Sequence, residues 1–517
     1  MEFASILNDV LGPVMRGPSS SHTAGSYHIG RLMRSLLGER PARATFTFDP
    51  DGSYAATFRQ QGVDRALAAG LLGWPITDAR FARALALAPR SGLRLEFRVA
   101  ALAGADHPNT VRMEIAAKSG RRLEAVAKSV GGGMIAVTEL DGHPVLLDGK
   151  SHELMVLASA RQARAVERLV AADGPPLGRG FRTAGNGQVF LSFKRASAPS
   201  PDVRAAIERL RGVRAVWASE PLFPVKKGEP LFRSATGMVA FAGRRGLSLG
   251  RAALAYEAGL LGLPSEEIVR EVVRRYGIMR GSVRAGLSGR GVRMQLLAPT
   301  AGRIFRAEKR GRLAAGGLHA RAAARAMAAM HVSNSMGVVC AAPTGGSAGV
   351  IPGVLVTLAE ERKLDDERIA LSLLAAGAIG LVFAWRATFA AEVAGCQVEI
   401  GAAGAMGAAA VVEAAGGKAK QAADTAAISL QNTMGSVCDL VQATCEIPCH
   451  TRNAAAAASA FVCADLVLGG YENPVPLDET VDASYASGRM LPSELRCTAL
   501  GGLAVAPSAL ALKPRRR

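Results

Sequence analysis

A shift in residue usage near position 236 constrains this fold more than any other feature of the chain. From there onward the sequence is rich in alanine and glycine, keeps a helical periodicity and has few β-branched runs of strand length. Such a stretch lacks the branched side chains that fill a sheet core, but its small side chains let helix backbones approach one another closely. An all-α domain is therefore expected over residues 236–517. The apolar stretch 369–385, 17 residues long, sits at the bottom edge of membrane-spanning length and is rich in alanine and glycine. It reads as a buried helix of that domain.

The first half has a different rhythm. Residues 1–147 alternate strand and helix signals: Ala44-Thr45-Phe46-Thr47-Phe48 and Arg94-Leu95-Glu96-Phe97-Arg98-Val99 show period-two apolar patterning, and 62–87 between them reads as helical with a break at Pro75. An N-terminal domain of mixed α/β type follows. Residues 148–222 form a unit of their own. A strand over 152–157 leads to an amphipathic helix over 160–171, and strands over 180–183 and 189–193 pair around Asn186-Gly187, a strong two-residue hairpin signal. A helix over 201–210 opens with proline, and a last strand covers 215–218. This βαββαβ order is the ferredoxin-like arrangement. Residues 224–230, with Lys226-Lys227-Gly228, read as a linker. The fold class expected is multidomain α+β.

Three cysteines in the helical half invite chemistry. Cys396, Cys438 and Cys449 stand at intervals of 42 and 11 residues, and none of the seven cysteines makes a C-x₂-C pair of the kind common in structural zinc sites. Three thiolates on separate segments suit another task, holding three corners of an iron–sulfur cluster while one iron stays open as a Lewis acid. The plain alternative is three small buried residues in an alanine-rich core.

The blocks around them are distinctive. They run Gly17-Pro18-Ser19-Ser20-Ser21-His22-Thr23-Ala24-Gly25, Asp106-His107-Pro108-Asn109-Thr110, Ser129-Val130-Gly131-Gly132-Gly133, Ala342-Pro343-Thr344-Gly345-Gly346-Ser347, Gly395-Cys396-Gln397-Val398-Glu399, Ile447-Pro448-Cys449-His450-Thr451-Arg452-Asn453 and Glu494-Leu495-Arg496-Cys497-Thr498. In this order they resemble the iron–sulfur-dependent L-serine dehydratases (L-serine ammonia-lyases), with two subunits fused into one chain. The resemblance implies a [4Fe–4S] cluster on Cys396, Cys438 and Cys449, and no pyridoxal phosphate. It implies L-serine as substrate, a place in amino-acid catabolism and gluconeogenesis, and a catalytic role for the all-α domain. By the same resemblance Ser20, Ser21, His22 and Thr23 form an active-site loop that grips a carboxylate or moves a proton, and His107 and Asn109 lie near the substrate. Read alone, the first loop is a polar turn, and Pro108 and Asn109 are turn formers. Residues 148–222 look like an ACT domain, an amino-acid-sensing module. Cys340, Cys445 and Cys497 fall outside the three ligand positions, and Cys463 reads as helix core.

Departures from the family pattern bear on substrate. Where the family carries Gly-His-Gly-Thr-Asp, this chain reads Gln60-Gln61-Gly62-Val63-Asp64, and an amide does not titrate. Cys438 is followed by Asp439-Leu440-Val441-Gln442-Ala443 in place of Asp-Pro-Val-Ala-Gly. The segment Gly286-Leu287-Ser288-Gly289-Arg290-Gly291 has no acid where the family has one. A related lyase acting on another β-substituted 2-amino acid, or a non-catalytic amino-acid sensor, are the alternatives these changes leave open.

The bulk numbers narrow the rest. The formal charge of +19 invites nucleic acid, but arginine is spread along the chain and aromatics are 5% of residues, too few for stacking platforms. The opening residues carry no basic-then-apolar signal segment. An odd number of cysteines and a thiol-bound cluster both favour a reducing compartment. A cytoplasmic homodimer, bound to neither nucleic acid nor membrane, is expected.

Overall fold

The computed structural model describes residues 3–177, 181–185 and 187–515. Gly180 and Asn186 of the expected hairpin, and the last two arginines, lie outside these. The chain divides into two compact units, one made of Met1–Ala24, Gly131–Gly133 and Gly228–Arg517, the other of Gly25–Val130 and Met134–Lys227. The molecule is thus a multidomain protein of mixed helix and sheet.

The second unit is built on period-two alternation. A six-stranded sheet has the order Arg94–Val99, Pro41–Phe48, Thr110–Ala117, Arg122–Gly131, Met134–Leu140, His143–Leu147. Its first two strands are parallel, and the helical 63–87 region provides their crossover, with the helix Val63–Leu72 ending at Gly73 ahead of Pro75. A four-stranded antiparallel sheet follows, in the order Val213–Ser219, His152–Ser159, Gln188–Arg195, Phe181–Gly185. The helices Ala163–Ala172 and Pro201–Arg209 separate its strands in the chain, giving strand–helix–strand–strand–helix–strand. Both faces of this sheet are covered, because side chains alternate across it. Leu154, Val156, Val189 and Leu191 pack with Val166, Val170 and Ile207 of the helices. Met155, Phe190 and Trp217 join the core of the six-stranded sheet.

The first unit is helical, and small residues decide its packing. On the helix Ile400–Ala414 every residue but Glu413 is buried, and most are alanine or glycine. It packs among the helices Asp366–Arg386, Ala419–Gln431 and Cys449–Leu468. Asp366–Arg386 is long and apolar enough to cross a membrane, yet 83% of its most apolar window is buried inside the protein. It takes part of its cover from the N-terminal turn Ile6–Val10: a Cβ added to Gly380 would stand 2.1 Å from Val10 Cγ1. The buried carboxylate of Glu257 fixes that turn, accepting from Ser5 Oγ (2.5 Å), Ile6 N (2.8 Å) and Leu7 N (2.9 Å).

This unit departs from a purely helical expectation at two places. Val14–Arg16 pairs antiparallel with Val338–Cys340, and Cys438–Asp439 pairs parallel with Arg496–Thr498. Buried backbone that leaves a helix must find other partners, and these short ladders supply them. Both ladders adjoin segments that carry motif residues.

Candidate metal centre and active site

The three singled-out cysteines come together inside the first unit, each from a different local structure. Cys396 opens the turn Cys396–Val398, and its N–H donates to Ser436 O at 2.9 Å, which lays the turn beside the approach to Cys438. Cys438 lies in the short parallel ladder, and Cys449 begins the helix Cys449–Leu468. All three are buried. The thiols of Cys396 and Cys438 are hydrogen-bonded, and their Sγ atoms and a carboxylate oxygen of Glu399 all lie within 4.8 Å of one another. The Cys396 thiol is held well above its usual range by that hydrogen bond first and by burial second, with Cys449 adding to the effect. For Cys438 the bond to Cys396 acts downward, but a bond to Cys497 and burial outweigh it.

The helix of the third thiol organises the rest. Arg452, one turn along it, donates to Val437 O (2.7 Å), pairs with Asp439 (2.9 Å) and reaches Cys396 Sγ at 3.7 Å. Asn453 donates to Gly346 O (2.9 Å) and Cys449 O (2.8 Å) and accepts from Gly349 N (3.0 Å). It thereby ties the Gly-rich loop to the thiol helix. Gly345 has no room for a side chain, since a Cβ there would stand 2.7 Å from Ser20 N; one on Gly346 would stand 3.2 Å from Glu399 Oε2. The loop is thus sandwiched between the Ser-Ser-Ser-His-Thr segment and the acid beside the thiols.

That segment forms a wide helical turn, Ser20–Ala24, of the π type that recurs at functional sites. Ser20, Ser21, His22 and Thr23 are all buried. Burial pushes His22 down to about 3, so its imidazole is neutral near pH 7. Its Nδ1 lies 3.2 Å from Ser19 Oγ and 3.8 Å from Glu392 Oε1, a contact between a neutral ring and an acid rather than an ion pair. Glu399 is pushed up to about 8 by burial first and by Glu392 second, against a hydrogen bond from Thr344. It therefore carries a proton near pH 7.

His107 and Asn109 belong to the second unit. There His107 Nδ1 accepts from Asn109 N at 3.1 Å and His107 O accepts from Thr110 Oγ1 at 2.7 Å, the internal bonds of a turn. Burial, and then Lys128, holds the His107 imidazole below its ordinary range. Gln61, also of the second unit, is buried just ahead of the helix Val63–Leu72.

Sequence reasoning passed over several groups at the thiols. Glu399 stands three residues after Cys396, and Arg452 and Asn453 follow Cys449, yet residue type and spacing alone assign none of them a role. Glu392 had no sequence signal. Cys445 and Cys497 had been set outside the ligand positions, but their thiols hydrogen-bond those of Cys449 and Cys438. Cys340, pushed up to about 11 by burial, and Cys463, buried in its helix beside Ser459, are core residues.

This donor set fits an iron–sulfur cluster. Soft thiols converge from three segments, shielded from water, and at Cys396 and Cys438 burial and neighbouring thiols disfavour proton loss until a cation is present. A family model described as "Serine dehydratase alpha chain" matches residues 152–504. This chain belongs to that family. It is 35% identical over 285 residues to the probable L-serine dehydratase alpha chain of Bacillus subtilis, a match covering 55% of this chain and 95% of that one. The L-serine dehydratase alpha chain of Peptoniphilus asaccharolyticus is 38% identical over 240 residues, covering 46% and 82%. The probable L-serine dehydratase beta chain of Bacillus subtilis is 41% identical over 157 residues, covering 30% and 69%. One polypeptide therefore carries sequence similar to both of the separate chains.

Proposed function

We propose that this chain is an iron–sulfur-dependent L-serine ammonia-lyase, converting L-serine to pyruvate and ammonia without pyridoxal phosphate. The observation that carries the reading is the approach of Cys396 Sγ, Cys438 Sγ and a Glu399 carboxylate oxygen to within 4.8 Å of one another, with the buried Cys449 close enough to act on the Cys396 thiol. These three cysteines would hold a [4Fe–4S] cluster, which when bound would supply Lewis acidity toward the β-hydroxyl of serine. The protein's own groups then do the rest. Protonated Glu399 offers an O–H beside the thiols, suited to a departing hydroxide. Neutral His22 can accept a proton, and the hydroxyls of Ser20, Ser21 and Thr23 suit a carboxylate. His107 and Asn109 are proposed as further substrate residues on the family pattern. Arg452, 3.7 Å from Cys396 Sγ, would offset negative charge on that sulfur.

The topology of the four-stranded sheet and its two helices supports reading residues 148–222 as an ACT-like sensing module between a domain at 1–147 and a catalytic domain at 236–517. The need for reduced thiols favours the cytoplasm, and a homodimer is the proposed assembly. Gln61 in place of the family histidine favours, as second reading, a lyase for another β-substituted 2-amino acid. One anaerobic experiment tests both: measure iron, sulfide and keto-acid release with a panel of amino acids. Iron with pyruvate from serine supports the first reading. Iron with turnover of a different amino acid supports the second, and an iron-free, inert protein ends both.

A further inference from the structure

The block Ser129-Val130-Gly131-Gly132-Gly133 ends in three glycines with φ of +105°, +61° and +87°, a turn that glycine takes without strain. This turn belongs to the first unit and fits between two of its segments. A Cβ on Gly131 would stand 3.0 Å from Ala390 Cβ, and one on Gly133 would stand 3.4 Å from Ala24 Cβ. Ala24 lies two residues after His22, and Ala390 two residues before Glu392. The glycine turn thus spaces the segment of an imidazole from the segment of an acid. Glu392 sits on the short helix Ala391–Ala394, which is held in place where Arg496 donates to Val393 O (3.3 Å). Its Oε1 lies 3.8 Å from His22 Nδ1, and the two side chains are 4% and 0% exposed. Ser19 Oγ stands 3.2 Å from the same ring nitrogen, but a hydroxyl can donate or accept there, so it does not select a tautomer. An ionised carboxylate only accepts. It favours hydrogen on Nδ1 and leaves the free lone pair on Nε2. Burial also makes a charged ring costly, and an opposite charge about 4 Å away offsets that cost. The separation of 3.8 Å is longer than a hydrogen bond, and charge on the ring would draw the pair together.

We propose that Glu392 is a positioning residue for His22: it holds the imidazole as the Nδ1–H tautomer, so that Nε2 takes the proton, and it balances the charge the ring then carries. The inference rests on the function proposed above and deepens it. The proton leaves the α-carbon of the substrate, and the C–H electron pair becomes the new carbon–carbon double bond. Hydroxide departs with the electron pair of the β-carbon–oxygen bond. On His22 an Nε2–H bond forms and the Nδ1–H bond is kept. The protein neither gains nor loses electrons, so no oxidant or reductant is needed.

The test compares the full-length wild type with Glu392→Gln, Glu392→Asp, His22→Ala and the double variant His22→Ala/Glu392→Gln, each loaded anaerobically with iron and sulfide to equal iron content. Glu392→Gln should lower kcat for serine by about tenfold with KM within about twofold, and Glu392→Asp, which keeps the charge, should restore most of the loss. In the His22→Ala background Glu392→Gln should change kcat by less than about twofold, because a residue that acts through the ring has nothing left to act on. Nitrogen-15 spectra of the histidine rings in the cluster-free chains give a readout apart from activity. The His22 signals, identified as those missing from His22→Ala, should be of the Nδ1–H form in wild type and Glu392→Asp. In Glu392→Gln, whose amide can donate to Nδ1, they should move to the Nε2–H form. The inference fails, and the proposed function stands, if Glu392→Gln leaves the tautomer or kcat unchanged, or if it costs as much without His22 as with it. If the iron-loaded wild type turns over no amino acid, the proposed function falls and this inference falls with it. Should Glu392→Gln fail to fold, Glu392→Leu, which also removes the charge, decides by the same comparison of kcat with and without His22.

Discussion

The two units bury polar groups in different ways, and the difference separates chemistry from architecture. In the second unit the bonds of several buried polar groups hold the sheet, its helices and their turns together. Arg195 bonds Val170 O and Asp173, Glu153 accepts from Ser151, and His107 closes a turn with Asn109 and Thr110. Each bond closes a turn or ties one element to its neighbour. In the first unit Cys396 with Glu399, Cys438, and Cys449 with Arg452 come from three separate segments and face one another. Buried thiols and acids crowd there in a way no helix or ladder requires. Folding alone gains nothing from such crowding, because each buried ionisable group costs desolvation. The cost makes sense if a bound cation offsets it.

The largest expected effect tests this directly. Replacing Cys396, Cys438 or Cys449 by serine should each remove most of the iron and reduce ammonia release from serine to background, whereas Cys463→Ala should change neither. Iron analysis and an ammonia assay on anaerobically prepared protein check it. A variant that keeps full iron would take that cysteine out of the centre and blur the contrast between the units.

Next in size is the proton step. His22→Ala should lower turnover by about 100-fold, the low end for general acid–base catalysis, with His107→Ala costing about tenfold or less. Cluster absorbance should persist in both, since no thiol is touched. If His107→Ala costs more than His22→Ala, the decisive imidazole sits in the second unit, and its turn is more than architecture. A smaller change is expected from Gln61→His, a rise of a few-fold in serine turnover as a titratable group returns. Strong serine turnover confined to that variant would favour the altered-substrate reading.

How much of this was legible in the chain depends on the range of the interactions. Elements set by local periodicity could be read closely: the strand Arg94–Val99, the helix starting at Pro201 and the break near Pro75 match their sequence signals. The short ladders were not legible. Two or three residues carry no periodicity, and their pairing depends on segments far apart in the chain. The thiols were visible because cysteine is chemically conspicuous and recurs in recognisable blocks. Glu399, Glu392 and Arg452 were not, because acids and arginines are common and only tertiary burial sets them apart.

The smallest expected effect lies in the second unit, at Glu153. Its side chain is buried on the strand His152–Ser159, and burial pushes its carboxyl from 4.5 up to about 7, against the charge of Lys194 at 3.7 Å and the hydrogen bond from Ser151. A carboxyl raised in this way keeps its proton in the folded chain between those two pH values, while the unfolded chain has already lost it. The folded state then binds more protons, so stability falls as pH rises from about 4.5 to about 7 and is flat with respect to this group outside that window. Glu153→Gln keeps the shape and a hydrogen-bonding head but removes the titration. The fall in melting temperature from about pH 5 to about pH 7.5 should therefore be smaller in Glu153→Gln than in wild type, every other titrating group contributing equally to both. Thermal melts of the two full-length proteins at those pH values measure it. An equal fall would mean that Glu153 is ionised in the fold, with Lys194 outweighing burial. The second unit would then hold a true buried ion pair, and its polar groups would differ less from those of the first unit than the contrast requires.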